Sequence, residues 1–166
     1  MPTKSLLAVL FMLLSIAGFS QSEKLSMDAL IKKNLALAKE QYALLESKLP
    51  ADRMPKSYNM QTEKLETSDT KWWCSGFYPG TLWYIHEYTK DTGTRKAAEA
   101  RLAILEKEKH FTGNHDLGFM MYCSFGNAYR ITGNPSYKTT IDTAAMSLAP
   151  RYRPSIQSIQ SWDSSK

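Results

Sequence analysis

Gly76-Phe77-Tyr78-Pro79-Gly80-Thr81-Leu82-Trp83-Tyr84-Ile85-His86-Glu87-Tyr88-Thr89 is the stretch that decides the fold. Phe77, Tyr78, Leu82, Trp83, Tyr84, Ile85 and Tyr88 fall on nearly every side of a helical wheel, so the run predicts a helix buried on several sides. The next segment, Thr94–Lys109, is amphipathic instead. Ala98, Leu102 and Leu105 point inward, and Glu106-Lys107-Glu108-Lys109 reads as a solvated run. The same pair of elements then recurs. Leu117–Ile131 is again apolar, through Phe119, Met120, Met121, Tyr122, Phe125, Ala128 and Tyr129, and Tyr137–Leu148 is a weaker amphipathic helix ending at Pro150. Gly76-Phe77 returns as Gly118-Phe119, Tyr88 as Tyr129, and Thr92-Gly93 as Thr132-Gly133, a period of 40–42 residues with a small slip. Two-helix units of that length cannot bury their faces alone. They predict stacked hairpins, in a solenoid or a closed α/α toroid, with inner helices packed on all sides and outer helices wetted on one. The alternative is chance similarity between two buried helices that share common aromatics.

Working outward, Leu25–Leu49 has a helical period in which Met27, Leu30, Leu35, Ala38, Tyr42, Leu45 and Leu49 share a stripe. Ser26 can cap its start and Pro50 stops it. From Ala51 to Lys71 the chain is polar, contains Pro55 and shows no period, so it reads as a long connection. The expected fold is therefore all-α, with about five helices. Met1–Ser20 reads as an export signal: Lys4, an apolar run from Leu6 to Gly18, then Gly18 and Ser20 flanking Phe19. That run is too short for a stable membrane span. Its removal leaves 146 of the 166 residues, the length of one domain, and takes the net charge from +5 to +4. The expected location is periplasmic or secreted, with no membrane attachment after cleavage. Charges of both signs are spread without a basic block, which argues against a nucleic-acid partner. Cys74 and Cys123 lack zinc-site spacing and read as two small buried side chains or a disulfide. With no Gly-rich phosphate loop, HExxH or nucleophile elbow, no metal or cofactor is expected.

The repeat also places the chemistry. A shift of 42 sets Trp73 opposite His115, and a third copy would open near residue 160, where Trp162-Asp163 stands. An indole, a His-Asp pair and a second indole thus occupy the same end of successive inner helices. Asp116 has two readings: an ordinary helix cap, or a carboxylate at the edge of a core whose proton affinity suits acid/base work. Trp73 and Trp162 offer flat apolar faces for a sugar ring, or simple packing. His115 could orient an acidic ligand or serve as a structural partner of Asp116. His86 and His110 carry no assigned role.

Trp73-Cys74-Ser75-Gly76-Phe77-Tyr78-Pro79-Gly80, followed by His115-Asp116-Leu117-Gly118-Phe119 and Ser161-Trp162-Asp163, resembles glycoside hydrolase family 88, the unsaturated glucuronyl hydrolases. Arg151-Tyr152-Arg153-Pro154 resembles that family too. The resemblance implies an (α/α)6 toroid acting on the 4,5-unsaturated uronic acid that polysaccharide lyases leave at a non-reducing end. It implies hydration of the double bond: a carboxyl group protonates C4, water adds at C5, and the hemiketal opens and releases the next sugar. Asp116 matches one of two essential aspartates, Trp73 and Trp162 match pocket indoles, and His115 matches a motif position. The family's principal acid/base aspartate lies downstream of Ser-Trp-Asp, and Asp163 belongs to that motif and does not fill the role. A six-hairpin toroid needs twelve helices. The expectation is thus the N-terminal portion of such an enzyme, with little or no activity alone. The alternatives are a non-catalytic helical-repeat protein that binds carbohydrate or another partner, and an unsaturated rhamnogalacturonyl hydrolase, which differs in substrate.

Overall fold

The computed structural model describes residues 25–163, and the export segment read at Met1–Ser20 lies outside the described residues. The chain divides into two compact units, one ending at Lys33 and one running from Asn34 onward, and the site described below lies entirely in the second. Among the described residues five helices form, the fourth of them in three consecutive pieces. Helix α1 (Met27–Lys48) starts where Ser26 Oγ accepts the Ala29 N–H at 3.2 Å, and it ends two residues before Pro50. The expected stripe is only partly realised. Leu35, Ala38, Tyr42 and Leu45 are half-buried, Leu49 is buried, and Met27 and Leu30 are exposed.

The segment read as a featureless connection contains an antiparallel hairpin, β1 (Met54–Asn59) with β2 (Lys64–Ser68), interrupted by a register shift between Pro55 and Ser57. Its turn lacks the Asn-Gly or Asp-Gly that announces a hairpin. Asn59 Oδ1 does that work by accepting the N–H groups of Gln61 and Thr62, each at 3.0 Å, and Glu63 takes the left-handed conformation. Only Met54 and Ser68 are buried, so no apolar alternation marks the strands.

The repeat is realised as two hairpins. Inner helix α2 (Phe77–Thr89) leads to outer helix α3 (Thr92–Leu105) and a 3₁₀ turn (Glu106–His110). The second inner helix comprises α4 (Leu117–Met121), a π-helical turn (Tyr122–Gly126) and α5 (Asn127–Thr132), and it leads to outer helix α6 (Pro135–Leu148). Both inner helices stop on a left-handed residue, Lys90 and Gly133, and both outer helices start on a side-chain cap. Asp91 accepts from the Thr94 N–H, and Asn134 from the Ser136 N–H. These caps set the outer-helix starts two residues before the expected Thr94 and Tyr137.

The same pairing explains the slip in the repeat. At the helix starts the register is 42, because the Phe77 N–H bonds to the Cys74 carbonyl as the Phe119 N–H bonds to that of Asp116. At the ends, Lys90 answers to Gly133, one residue further. The π turn houses the extra residue. Its displaced carbonyls find side-chain donors: Ser124 Oγ bonds to Met120 at 2.6 Å and Asn127 Nδ2 bonds to Cys123 at 2.7 Å. Thr92-Gly93 therefore does not correspond to Thr132-Gly133; Gly93 lies inside α3, and Gly133 ends α5.

The two inner helices meet main chain to main chain. A Cβ on Gly76 would fall on the Met120 carbonyl, and one on Gly80 on the Cys123 carbonyl, so glycine one turn apart permits the contact. Trp83, Leu82, Leu102, Leu105, Met120, Met121, Phe125 and Met54 fill the core between the layers. Inner helices packed on every side are not what the chain shows. Phe77, Tyr84 and Tyr88 on α2, and Phe119, Tyr122 and Tyr129 on the second inner helix, remain exposed among the described residues. The Glu106-Lys107-Glu108-Lys109 run is also not uniformly solvated. Glu108 is buried and accepts the Thr70 hydroxyl at 2.5 Å. Beyond α6, a short pairing of β3 (Tyr152–Arg153) with β4 (Ser158–Ile159) turns the chain back toward the second inner helix. Among the described residues, no helix is long and apolar enough to cross a membrane.

Candidate active site

Asn114 begins the arrangement by accepting the Asp116 N–H on Oδ1 at 2.8 Å, a side-chain turn that leads into α4. The Asp116 carbonyl then accepts the N–H groups of Phe119 at 2.9 Å and Met120 at 3.2 Å. Asp116 holds the N-cap position, yet its carboxylate makes no capping bond. The side chain is left for other work: Oδ1 lies 3.4 Å from His115 Nε2, with the carboxylate 16% and the imidazole 20% exposed. Of the two readings of Asp116, simple capping is not the one the geometry supports.

The His115 ring meets Trp162 edge to face, with centroids 4.5 Å apart. Trp162 is otherwise open, at 74% exposure. Arg151 holds its segment in place. The guanidinium donates from Nε to the Gln160 carbonyl, from Nη2 to the Ser161 carbonyl and to Asp163 Oδ1, each at 3.0 Å, and from Nη1 to the Thr112 carbonyl at 3.2 Å. One planar fork thus ties the Trp162 segment to the loop before His115. Charge pattern alone could not single out Arg151; its membership of the Arg151-Tyr152-Arg153-Pro154 string was the only indication in the sequence.

Trp73 stands at the same ends of the inner helices but touches a different set of rings. It meets Trp72, Phe77 and Phe119 edge to face, with centroids at 6.3, 5.8 and 6.2 Å, and Phe77 meets Phe119 at 5.9 Å. Phe119 lies three residues after Asp116, so the aromatic cluster connects Trp73 to the His115-Asp116 turn. Cys74 supplies a second connection. Burial pushes its thiol pKa up, and the negative charge of Asp116 pushes it further. Sequence reasoning missed Phe77 and Phe119 as members of this cluster because both sat inside runs read as core.

The arrangement offers exposed aromatic faces for the apolar face of a sugar ring, with a carboxylate and an imidazole beside them for its polar groups. Cys74 and Cys123 are free thiols, both half-buried. His86 serves the fold, its Nδ1 lying 2.9 Å from the Asp91 carbonyl. No group of three or more His, Cys, Asp or Glu side chains is placed to hold a metal ion among the described residues.

Two packed layers of helical hairpins, with aromatic residues and the Asp116 carboxylate at the inner-helix starts, define an all-α chain of the α/α-hairpin class. No protein-family model matches it. The chain is 35% identical over 136 residues to an unsaturated glucuronyl hydrolase of Formosa agariphila, an alignment covering 76% of this chain and 34% of that protein. It is 32% identical over 97 residues to an unsaturated chondroitin disaccharide hydrolase of Streptococcus agalactiae, covering 57% and 24%. The crystal structure of an unsaturated glucuronyl hydrolase specific for heparin superposes with a TM-score of 0.76 at 32% identity, covering 81% of this chain and 36% of the other. In sequence and in fold the chain is a relative of the unsaturated glucuronyl hydrolases, and it spans about a third of their length.

Proposed function

We propose that this chain carries part of the active-site rim of a glycoside hydrolase that removes 4,5-unsaturated glucuronic acid from the non-reducing end of lyase-generated oligosaccharides. The observation that carries the reading is the Asp116 carboxylate, set at the start of an inner helix, unused as a cap, and flanked by His115 and the open Trp162 indole. Asp116 is assigned to the acid/base chemistry at the C4=C5 bond. Trp73 and Trp162 stack on the sugars, and His115 positions the uronate or the Asp116 carboxylate. Proton delivery to C4 and addition of water at C5 give a hemiketal that opens and frees the next sugar, which is general acid/base catalysis outside the retaining and inverting schemes. Chondroitin and heparin are the glycans named for relatives, so disaccharides derived from both are the substrates to try. The Met1–Ser20 pattern supports export to the periplasm or beyond.

The test fuses this chain to the part of the Formosa agariphila relative that it does not match, and follows loss of the ultraviolet absorbance of the double bond. Activity with one solvent oxygen incorporated at C5 is expected. A folded fusion that binds the disaccharides without consuming them would favour the non-catalytic reading instead. N-terminal sequencing of the exported product should find Gln21 first.

A further inference from the structure

The chain from Tyr152 to Asp163 is held by something other than an apolar core. Every residue from 152 to 163 is exposed except Gln160, which is half-buried. The β3–β4 ladder contributes only two residue pairs. What the segment does have is the Arg151 side chain, 11% exposed, around which residues 160–163 wrap. The Gln160 N–H donates to the Arg151 carbonyl at 2.8 Å while the Gln160 carbonyl accepts from Nε, a reciprocal pair that fixes where the wrap begins. Trp162 is then bracketed. The Ser161 carbonyl before it and the Asp163 carboxylate after it both accept from Nη2, and its own carbonyl accepts the Gln160 side-chain amide at 2.7 Å. Nη1 reaches the Thr112 carbonyl, three residues before His115. The indole itself is largely open to water, and its one ring contact among the described residues is His115.

We infer that Arg151 and Asp163 are positioning residues for the Trp162 indole, holding it beside His115 before any sugar arrives, and that the Asp163 carboxylate acts through Arg151 rather than on substrate. Burial cannot orient a ring that lies mostly in water, so its main chain has to. An exposed indole on a loose strand gives up motion when it stacks on a sugar, whereas a clamped one has already done so, which lowers the cost of binding. A planar guanidinium reaches acceptors on two segments at once, and an ammonium cannot reproduce that fork. The effect belongs to substrate binding, because the indole meets the sugar in the ground state and the transition state alike. This role rests on the proposed use of Trp162 as a stacking surface, but the clamp itself is readable without substrate.

Trp162 is one of four tryptophans, and Trp162→Phe identifies its indole N–H signal by NMR. In the unaltered chain, without sugar, nuclear Overhauser contacts between the His115 and Trp162 rings are expected. Arg151→Lys should abolish them and raise the picosecond-to-nanosecond mobility of the indole. Asp163→Ala removes a carboxylate that is 76% exposed, a change the fold should tolerate, and it should weaken the same contacts. Asp163→Asn should preserve them, because the amide oxygen still accepts from Nη2. In the single-chain fusion, Arg151→Lys should raise KM for an unsaturated chondroitin disaccharide about tenfold and leave kcat within about twofold, while Asp163→Asn keeps both near their unaltered values. Ring contacts that survive Arg151→Lys in a folded chain would overturn the assignment. Where that variant does not fold, contacts unchanged by Asp163→Ala would do so. A kcat that collapses in Asp163→Asn at unchanged KM would also overturn it, as the mark of a group acting on substrate. A fusion inactive in every form would defeat the proposed activity instead, and the ring contacts would still decide the clamp.

Discussion

At the scale of single residues, position and use are separate facts. Asp116 and Asp91 both stand at helix starts, but only Asp91 caps. Its carboxylate accepts the Thr94 N–H at 2.7 Å and the Thr94 hydroxyl at 2.8 Å, with Lys39 at 3.1 Å, and these bonds lower its pKa to about 2. A carboxylate held below its ordinary value stabilises the fold above about pH 4, and that contribution is lost as pH falls through about 2. Asp91→Ala should cost about 1 kcal/mol of stability at neutral pH. Asp91→Asn should retain much of the cap while flattening the acid limb of a stability-versus-pH curve. Asp116 leaves its mark on Cys74, whose thiol is pushed up by burial and by that charge. Asp116→Asn should therefore speed alkylation of Cys74 near pH 8, as measured by mass spectrometry with Cys123 as internal reference. An unchanged rate would place the carboxylate away from the thiol. The sequence exposed Asp116 through its motif but could not tell cap from free carboxylate, because that depends on which donors the main chain has already satisfied.

Among the elements, the hairpins were legible and their joints were not. Apolar periodicity located all five helices, since burial of a face leaves a repeating pattern. The β1–β2 hairpin escaped because its strands bury almost nothing and its turn relies on Asn59 alone. The π turn escaped because it changes length by one residue without changing composition. Equally invisible was the clamp between α1 and α3. Arg101, at 3% exposure, donates to both Glu46 oxygens and to the carbonyls of Pro50 and Arg53, while the Tyr78 hydroxyl donates to Glu46 at 2.7 Å. An arginine among alanines on an amphipathic helix looks like a solvated residue. Its guanidinium instead satisfies the main chain where α1 hands over to β1. Arg101→Ala should lower unfolding free energy by about 3 kcal/mol, since it strands a carboxylate and several carbonyls. Arg101→Lys should recover only part of that, because a single ammonium cannot reproduce the fork. Denaturant titration measures both. Gly76→Ala should cost about 1–3 kcal/mol by forcing the inner helices apart.

For the whole molecule, the 166 residues first suggest one ordinary domain, and the repeat changes that reading. Among the described residues two hairpins form with aromatic faces still exposed, and the chain spans about a third of the relatives' length. In the proposed function, the rim assembled at the starts of the inner helices carries the chemistry, with Asp116 assigned as its reactive group. The most direct test is the rate at which the single-chain fusion consumes an unsaturated glucuronyl disaccharide, with and without Asp116→Asn. A fall in kcat of about 10²-fold or more, with little change in KM and an unaltered Tm, is the expected result. A fusion that keeps its full rate after Asp116→Asn would contradict the assignment of Asp116.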